Sequence, residues 1–306
     1  MRRPVITGVF VVALAAGGAV FRPVVPSATV TALAEPPAST RPAADADATE
    51  APRPVDQVRG EKLLKESGTL LRDAPSVRMV SDVAKGTTHV HSDMRMDHDG
   101  NCAGTVAVES GIRAEIVFLA GDGDDGDDGD DGDDGDDGDD GGKGGSAAEA
   151  YLKYTDASLD VLRRRAETQG PEVAERMRQF ALRARGKYVK AMPGPKGAKA
   201  IGAQCGLGRS LATLMTANAE GTRARPVVRR AGHRMVPLVP PARDGESGAV
   251  YVEADGAPYL RSIKGKAGGM EVDVAFSAYG APVRVQRPDP AQVVEPPTDG
   301  GAVFEV

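Results

Sequence analysis

The chain has 306 residues, 27% of them charged, with six Phe, six Tyr, no Trp and two Cys. Its formal charge of −6 misleads: residues 121–142 hold 13 Asp and no basic residue, and taking those 13 charges from −6 leaves a body at +7. That excess serves solubility or favours anionic envelope polymers and lipid headgroups. Two cysteines are too few for a structural zinc site, which takes four ligands.

Arg2 and Arg3 open the chain, residues 5–21 run apolar or small without a charge, and a small-residue stretch ends in Ala32-Leu33-Ala34. Basic, then apolar, then small is the order of a secretory signal peptide, here 1–34. The run is short and Gly-containing for a spanning helix, which needs about 20 strongly apolar residues. An uncleaved anchor is the alternative. Residues 35–54 are rich in Pro, Ala and small polar groups, so they read as a disordered linker that cannot offset its ordering entropy by burial. The address is secreted or extracytoplasmic.

The body, 55–290, opens with a helical pattern. Val58, Leu63, Leu64, Leu70 and Leu71 fall near helical spacing from Val55 to Asp73, and Ala74-Pro75 ends it. The period then becomes two. Val77, Met79, Ser81 and Val83 share one face, as do Val90, Ser92, Met94 and Met96 after the Lys85-Gly86 turn. Asp99-Gly100 and Ser110-Gly111 turn into further alternating runs, Cys102–Glu109 and Ile112–Phe118. This reads as an antiparallel meander with one apolar and one wet face. Six Gly-Asp-Asp triplets interrupt it, and like charges at that density make 121–146 a disordered insertion. The partner strand resumes at Ala150, Leu152 and Tyr154.

Asp156 or Ser158 caps a helix through Leu159, Leu162 and Arg165; Gly170-Pro171 breaks it and starts another with Val173, Met177, Phe180 and Ala184 on one side. Residues 187–190 form a short strand, Pro193–Gly197 a loop, and Leu207, Leu211, Leu214 and Met215 a third helical stripe. Five strands follow: Pro226–Val239, Val250–Ala254, Tyr259–Lys264, Met270–Ser277 and Val283–Arg287. A disordered tail, 291–306, closes the chain. Grouped strands and grouped helices argue an α+β fold with an antiparallel sheet.

Cys102 and Cys205 are the only cysteines. In an exported protein one pair forms a disulfide. The strings KLLKESGTLLRDAPSVRMV, DGNCAGTVAVESGIRAEIVFLAGD, AYLKYTDASLDVLRRR, RGKYVKA, CGLGRSLATLM and YVEADGAPYLRSIKGKAGGMEVDVAFSAYGAPVRVQRPDP resemble the actinobacterial LppX/LprG-type lipoproteins, relatives of the carrier LolA. The resemblance covers about 55–290. It implies a curved antiparallel β-sheet, a half-barrel, with helices covering the concave face and a hydrophobic cavity between them for acyl chains. The inward set would be Met79, Val90, Met94, Met96, Val106, Ile116 and Phe118, facing Leu159, Leu162, Met177 and Phe180. Two departures stand out: no lipobox cysteine precedes the body, and the acidic repeat is this chain's own addition.

His89, His91 and His98 lie in HVHSDMRMDHD, with His89 and His91 on one strand face beside Asp93. That face is the wet one, so they read as solvated and not as a metal site. The acidic repeat lacks the ligand spacing of a calcium loop. No nucleophile elbow, zinc-protease helix, phosphate loop or dinucleotide fingerprint occurs. The reading is therefore no enzyme, no cofactor and no nucleic-acid partner. It is an exported envelope protein binding lipid or another hydrophobic ligand, in peripheral contact with the membrane; the alternative is a structural or interaction module with a filled core. Oligomeric state is not legible.

Overall fold

A computed structural model describes residues 53–121, 147–192, 197–241 and 246–296. The expected signal peptide 1–34, the linker up to 52, the acidic insertion from 122 and the tail from 297 lie outside the described residues.

α1 (Val55–Arg72) begins after Pro54, whose fixed φ suits a helix entrance, and ends at Asp73 before Ala74-Pro75. Half of its buried face, Gly60, Glu61, Leu64, Ser67, Gly68 and Leu71, is small. Small residues let it sit close: a Cβ on Gly60 would lie 2.4 Å from the backbone oxygen of Thr222. Five antiparallel strands follow in order, β1 (Ser76–Lys85), β2 (Thr88–Asp97), β3 (Cys102–Val108), β4 (Arg113–Leu119) and β5 (Glu149–Tyr154). The period-two runs and their glycine turns, Gly86, Gly100 and Gly111 at positive φ, match this meander.

The next helix, α2 (Asp156–Glu167), is capped by Thr155, whose hydroxyl accepts from the Ser158 amide. The cap is thus Thr155, and neither Asp156 nor Ser158 as expected. Ser158 instead ties the helix to the sheet, donating to the carbonyl of Arg113 and accepting from its amide. α3 (Pro171–Ala184) follows with Pro at its start. After β6 (Tyr188–Lys190) come α4 (Ala198–Cys205) and α5 (Leu207–Ala217). The sequence showed only α5; α4 is built from small residues, so it has no apolar stripe to count.

The last third corrects three expectations. Pro226–Val239 is not one strand: β7 (Arg223–Ala224) and β8 (Val228–Arg230) precede a turn at Ala231-Gly232, both at positive φ, and β9 (His233–Val239) returns along both. β10 (Ser247–Glu253), β11 (Leu260–Ala267) and β12 (Met270–Ser277) complete a second meander. Val283–Arg287 is not a strand. β12 already has β1 and β11 as neighbours, so no sheet edge is free to it there. Residues 291–296, expected in the disordered tail, hold the end of a 3-10 turn (Pro290–Gln292) and β13 (Val293–Val294), which lies parallel to β6.

Thirteen strands form one open, curved sheet, antiparallel except at β6–β13, in the order β13-β6-β5-β4-β3-β2-β1-β12-β11-β10-β9-β7 with β8 beside β9. Five α-helices lie among the described residues, giving the expected α+β architecture. No helix among the described residues is long and apolar enough to cross a membrane. Cys102 of β3 and Cys205 of α4 are joined in a disulfide across 103 positions, with Cα atoms 5.6 Å apart. It clamps a helix to the sheet and closes a long loop, which restricts the unfolded chain. We expect the C102A/C205A double variant to lose about 2–5 kcal/mol of unfolding free energy, measured as a lower urea midpoint than the oxidised wild type.

Candidate functional site

Strand registers decide which side chains stand together. One row crosses the sheet as Phe276, Met79, Met94, Gly104, Ile116, Leu152 and Val189, each directly paired with the next. A neighbouring row reads Val77, Met96, Cys102, Phe118 and Ala150. Pleating forces both rows onto the same face. Gly104 is part of the packing: a Cβ there would lie 2.7 Å from the Met94 sulfur, so the absence of a side chain lets Met94 lie across β3.

The helices cap these rows unevenly. Gly202 of α4 rests on the Phe118 ring, where a Cβ would meet ring carbons at 2.7 Å. Gly208 of α5 faces the Met96 methyl and Val77. α2 and α3 contribute Leu159, Leu162, Met177 and Phe180. All eleven residues of the expected inward set, the seven strand residues and these four, are buried at 9% exposure or less. They belong to one continuous hydrophobic cluster. Each large apolar side chain so removed from water contributes roughly 1.5–3 kcal/mol. Sequence periodicity picked these faces correctly but missed α4, and with it the helix that presses on Phe118.

Polar atoms on the apolar face fall in a single row: Val274, Ser81, Ser92, Val106, Ala114 and Tyr154. Ser81 and Ser92 are 7% and 5% exposed, and their hydroxyl oxygens lie 2.7 Å apart, each satisfying the other. At the far end burial pushes the Tyr154 phenol up to about 12. The strict alternation of β1 and β2 placed both serines inward; only the register shows that they are partners.

The opposite face is charged. Arg78 donates from Nε and Nη2 to the two Asp93 oxygens at 2.8 and 2.6 Å. Lys264 pairs with Asp273 directly across the β11–β12 ladder. Asp82 stands opposite both Asp273 and His91, with His91 Nδ1 at 2.9 Å and His89 Nε2 at 3.3 Å. The carboxylate beside the two histidines is therefore Asp82 of the adjacent strand, not Asp93, which Arg78 holds. His98 sits apart in the β2–β3 turn, where its amide donates to the Pro75 carbonyl. Among the described residues no group of three or more His, Cys, Asp or Glu side chains is arranged to hold a metal ion.

No known family model matches the chain, and no curated protein matches it. Among solved structures it is similar to LprF from Mycobacterium bovis, at 13% identity and a TM-score of 0.45, over 76% of this chain and 97% of that one. It is also similar to the Mycobacterium tuberculosis lipoprotein LppX, at 10% identity and a TM-score of 0.39, over 75% and 99% of the two chains.

Two measurements follow. Replacing only Ser81 or only Ser92 by Ala leaves one buried hydroxyl without a partner, at a cost of about 1–3 kcal/mol. The S81A/S92A pair should cost less than the sum of the two, read from a double-mutant cycle in urea. The hydrogen bonds from Arg78, with its charge adding to them, outweigh desolvation and hold the Asp93 carboxyl below its ordinary range. The folded value lies under the unfolded one of about 3.9. The stabilisation is present above that pH and is lost as pH falls through the folded value. The stability gap between wild type and Asp93→Asn should therefore narrow below about pH 4, measured as urea midpoints across the acid range.

Proposed function

We propose that this chain is an exported envelope protein, its body delivered by residues 1–34 and spaced by 35–54, that binds a lipid or similar hydrophobic ligand between sheet and helices. It acts by binding rather than by catalysis. The observation that carries the reading is the width of the apolar row from Phe276 to Val189, which spans seven strands. Met79, Met94 and Met96 sit within it or beside it, and Met177 of α3 belongs to the same buried cluster. Thioether side chains are unbranched and polarisable, so they repack around ligands of varied shape. The Ser81–Ser92 pair would suit a small polar group, such as an ester, on an otherwise apolar ligand.

A second reading, a filled-core structural or interaction module, has its own support. The contact of Gly202 with the Phe118 ring leaves no room at that end of the core. Native mass spectrometry separates the two. The mature chain, purified from an envelope fraction, should carry acyl lipid in a fixed ratio that organic solvent extracts. A ligand-free mass, with thermal unfolding unchanged by extraction and by added fatty acid, would overturn the binding reading in favour of the filled core.

A further inference from the structure

Residues 221–234, GTRARPVVRRAGHR, hold five arginines, one histidine and no carboxylate. The chain folds this segment into β7 and the β8–β9 hairpin at one end of the sheet. Arg223, Arg225, Arg229 and Arg234 are exposed. Arg229 lies directly opposite Arg234, and Arg230 opposite His233. Like charges facing each other across a ladder destabilise it. Part of that field is answered within the molecule: Arg234 pairs with Asp255 at 2.9 Å, and Arg230 lies over the Tyr251 ring at 4.7 Å. Among the described residues no carboxylate reaches Arg225 or Arg229 within ion-pair distance.

The apolar residues of the same segment point to the occupant. Val227 and Val228 are 41% and 39% exposed, set between Arg225 and Arg229. Charge alone would suffice to protect a sheet edge from pairing with another chain. Two exposed valines would defeat that purpose, and a purely ionic polymer has no use for them. Apolar tips flanked by guanidinium groups suit a lipid surface, where the tips enter the headgroup boundary and the cations meet phosphates. The start of α1 adjoins this segment: Glu61 Oε1 accepts from the Gly221 amide at 2.8 Å, and Gly60 lies against Thr222 and Ala224. That turn carries Val55 and Val58, 85% and 51% exposed, with Arg59 exposed beside them. Four of the six exposed large hydrophobics among the described residues thus fall in these two adjoining segments. The chain also enters the body here, downstream of the apolar run at 5–21.

We propose that the β7–β9 edge, with Val227 and Val228 as its apolar tip and Arg225 and Arg229 as its anion contacts, docks the body onto an anionic lipid bilayer. The contact is reversible and weakens with salt, because exposed charges are screened over about 8 Å at physiological ionic strength. It lies outside the sheet–helix interior, so it holds or fails independently of any ligand there.

Vesicle co-sedimentation of the mature chain tests it, with phosphatidylcholine vesicles against vesicles that also contain phosphatidylglycerol. The wild type should pellet with the anionic vesicles and not with the neutral ones. R225Q/R229Q should weaken partitioning roughly thirtyfold, the combined effect of two basic side chains near a charged surface. V227S/V228S should weaken it too, and leave a remainder that salt abolishes. These positions are exposed, so both variants should unfold cooperatively near the wild-type midpoint. Equal binding by wild type and R225Q/R229Q would overturn the proposal. So would equal pelleting with neutral vesicles, or retention on heparin without any vesicle binding, which would assign the edge to a soluble polyanion.

Discussion

The ladder between β1 and β12 holds the architecture together. Two meanders, β1 to β6 and β9 to β12, come from opposite ends of the body and could each have ended in a bare edge. Their pairing from Arg78–Ser277 to Lys85–Met270 makes one sheet of them. It also brings Phe276 beside Met79, so that the apolar face continues across the seam. On the outer side the same register sets Asp82 against Asp273, an unfavourable match that His91 and Lys264 relieve from the flanking strands. Closing so long a loop has an entropic cost that must be met before the contacts form, so this pairing is expected to come late in folding.

Once the sheet exists, its two faces have different work. The outer face satisfies its charges locally and exposes them. The inner face needs cover, and no single helix provides it. α1 approaches closely because Gly60 and Gly68 carry no side chain: Gly60 lies against Thr222 and Ala224, and Gly68 against Ala212 and Thr216 of α5. α4 is pinned over β3 and β4 by the disulfide and by Phe118. α2 is tied at its first turn through Ser158. Cover supplied by several short helices, each held by a separate link, encloses one buried cluster that includes Met79, Met94, Met96, Met177 and Met215.

Legibility followed the physics of each segment. The first meander was readable because strict alternation and glycine turns report local geometry: Met79, Val90, Met94, Met96, Val106, Ile116 and Phe118 all stand on the face expected of them. Helix α4 was not readable, since Ala, Gly and Ile in close sequence show no stripe. Val283–Arg287 alternates as a strand does, yet β12, the strand it follows, already has β1 and β11 as partners. Val293–Val294 gave no signal at all, because two residues acquire strand geometry only from the partner they meet.

The sequence by itself determined the secondary-structure periods, the inward and outward faces, the even cysteine pair and the basic segment around Arg229, since each depends on residues close in the chain. The tertiary structure alone decided the pairing of Ser81 with Ser92, the partnership of Asp82 with His91, the seam at β1–β12 and the exposure of Val227 and Val228. Those rest on register and on which edge remains uncovered, and register is a property of two strands rather than of either one.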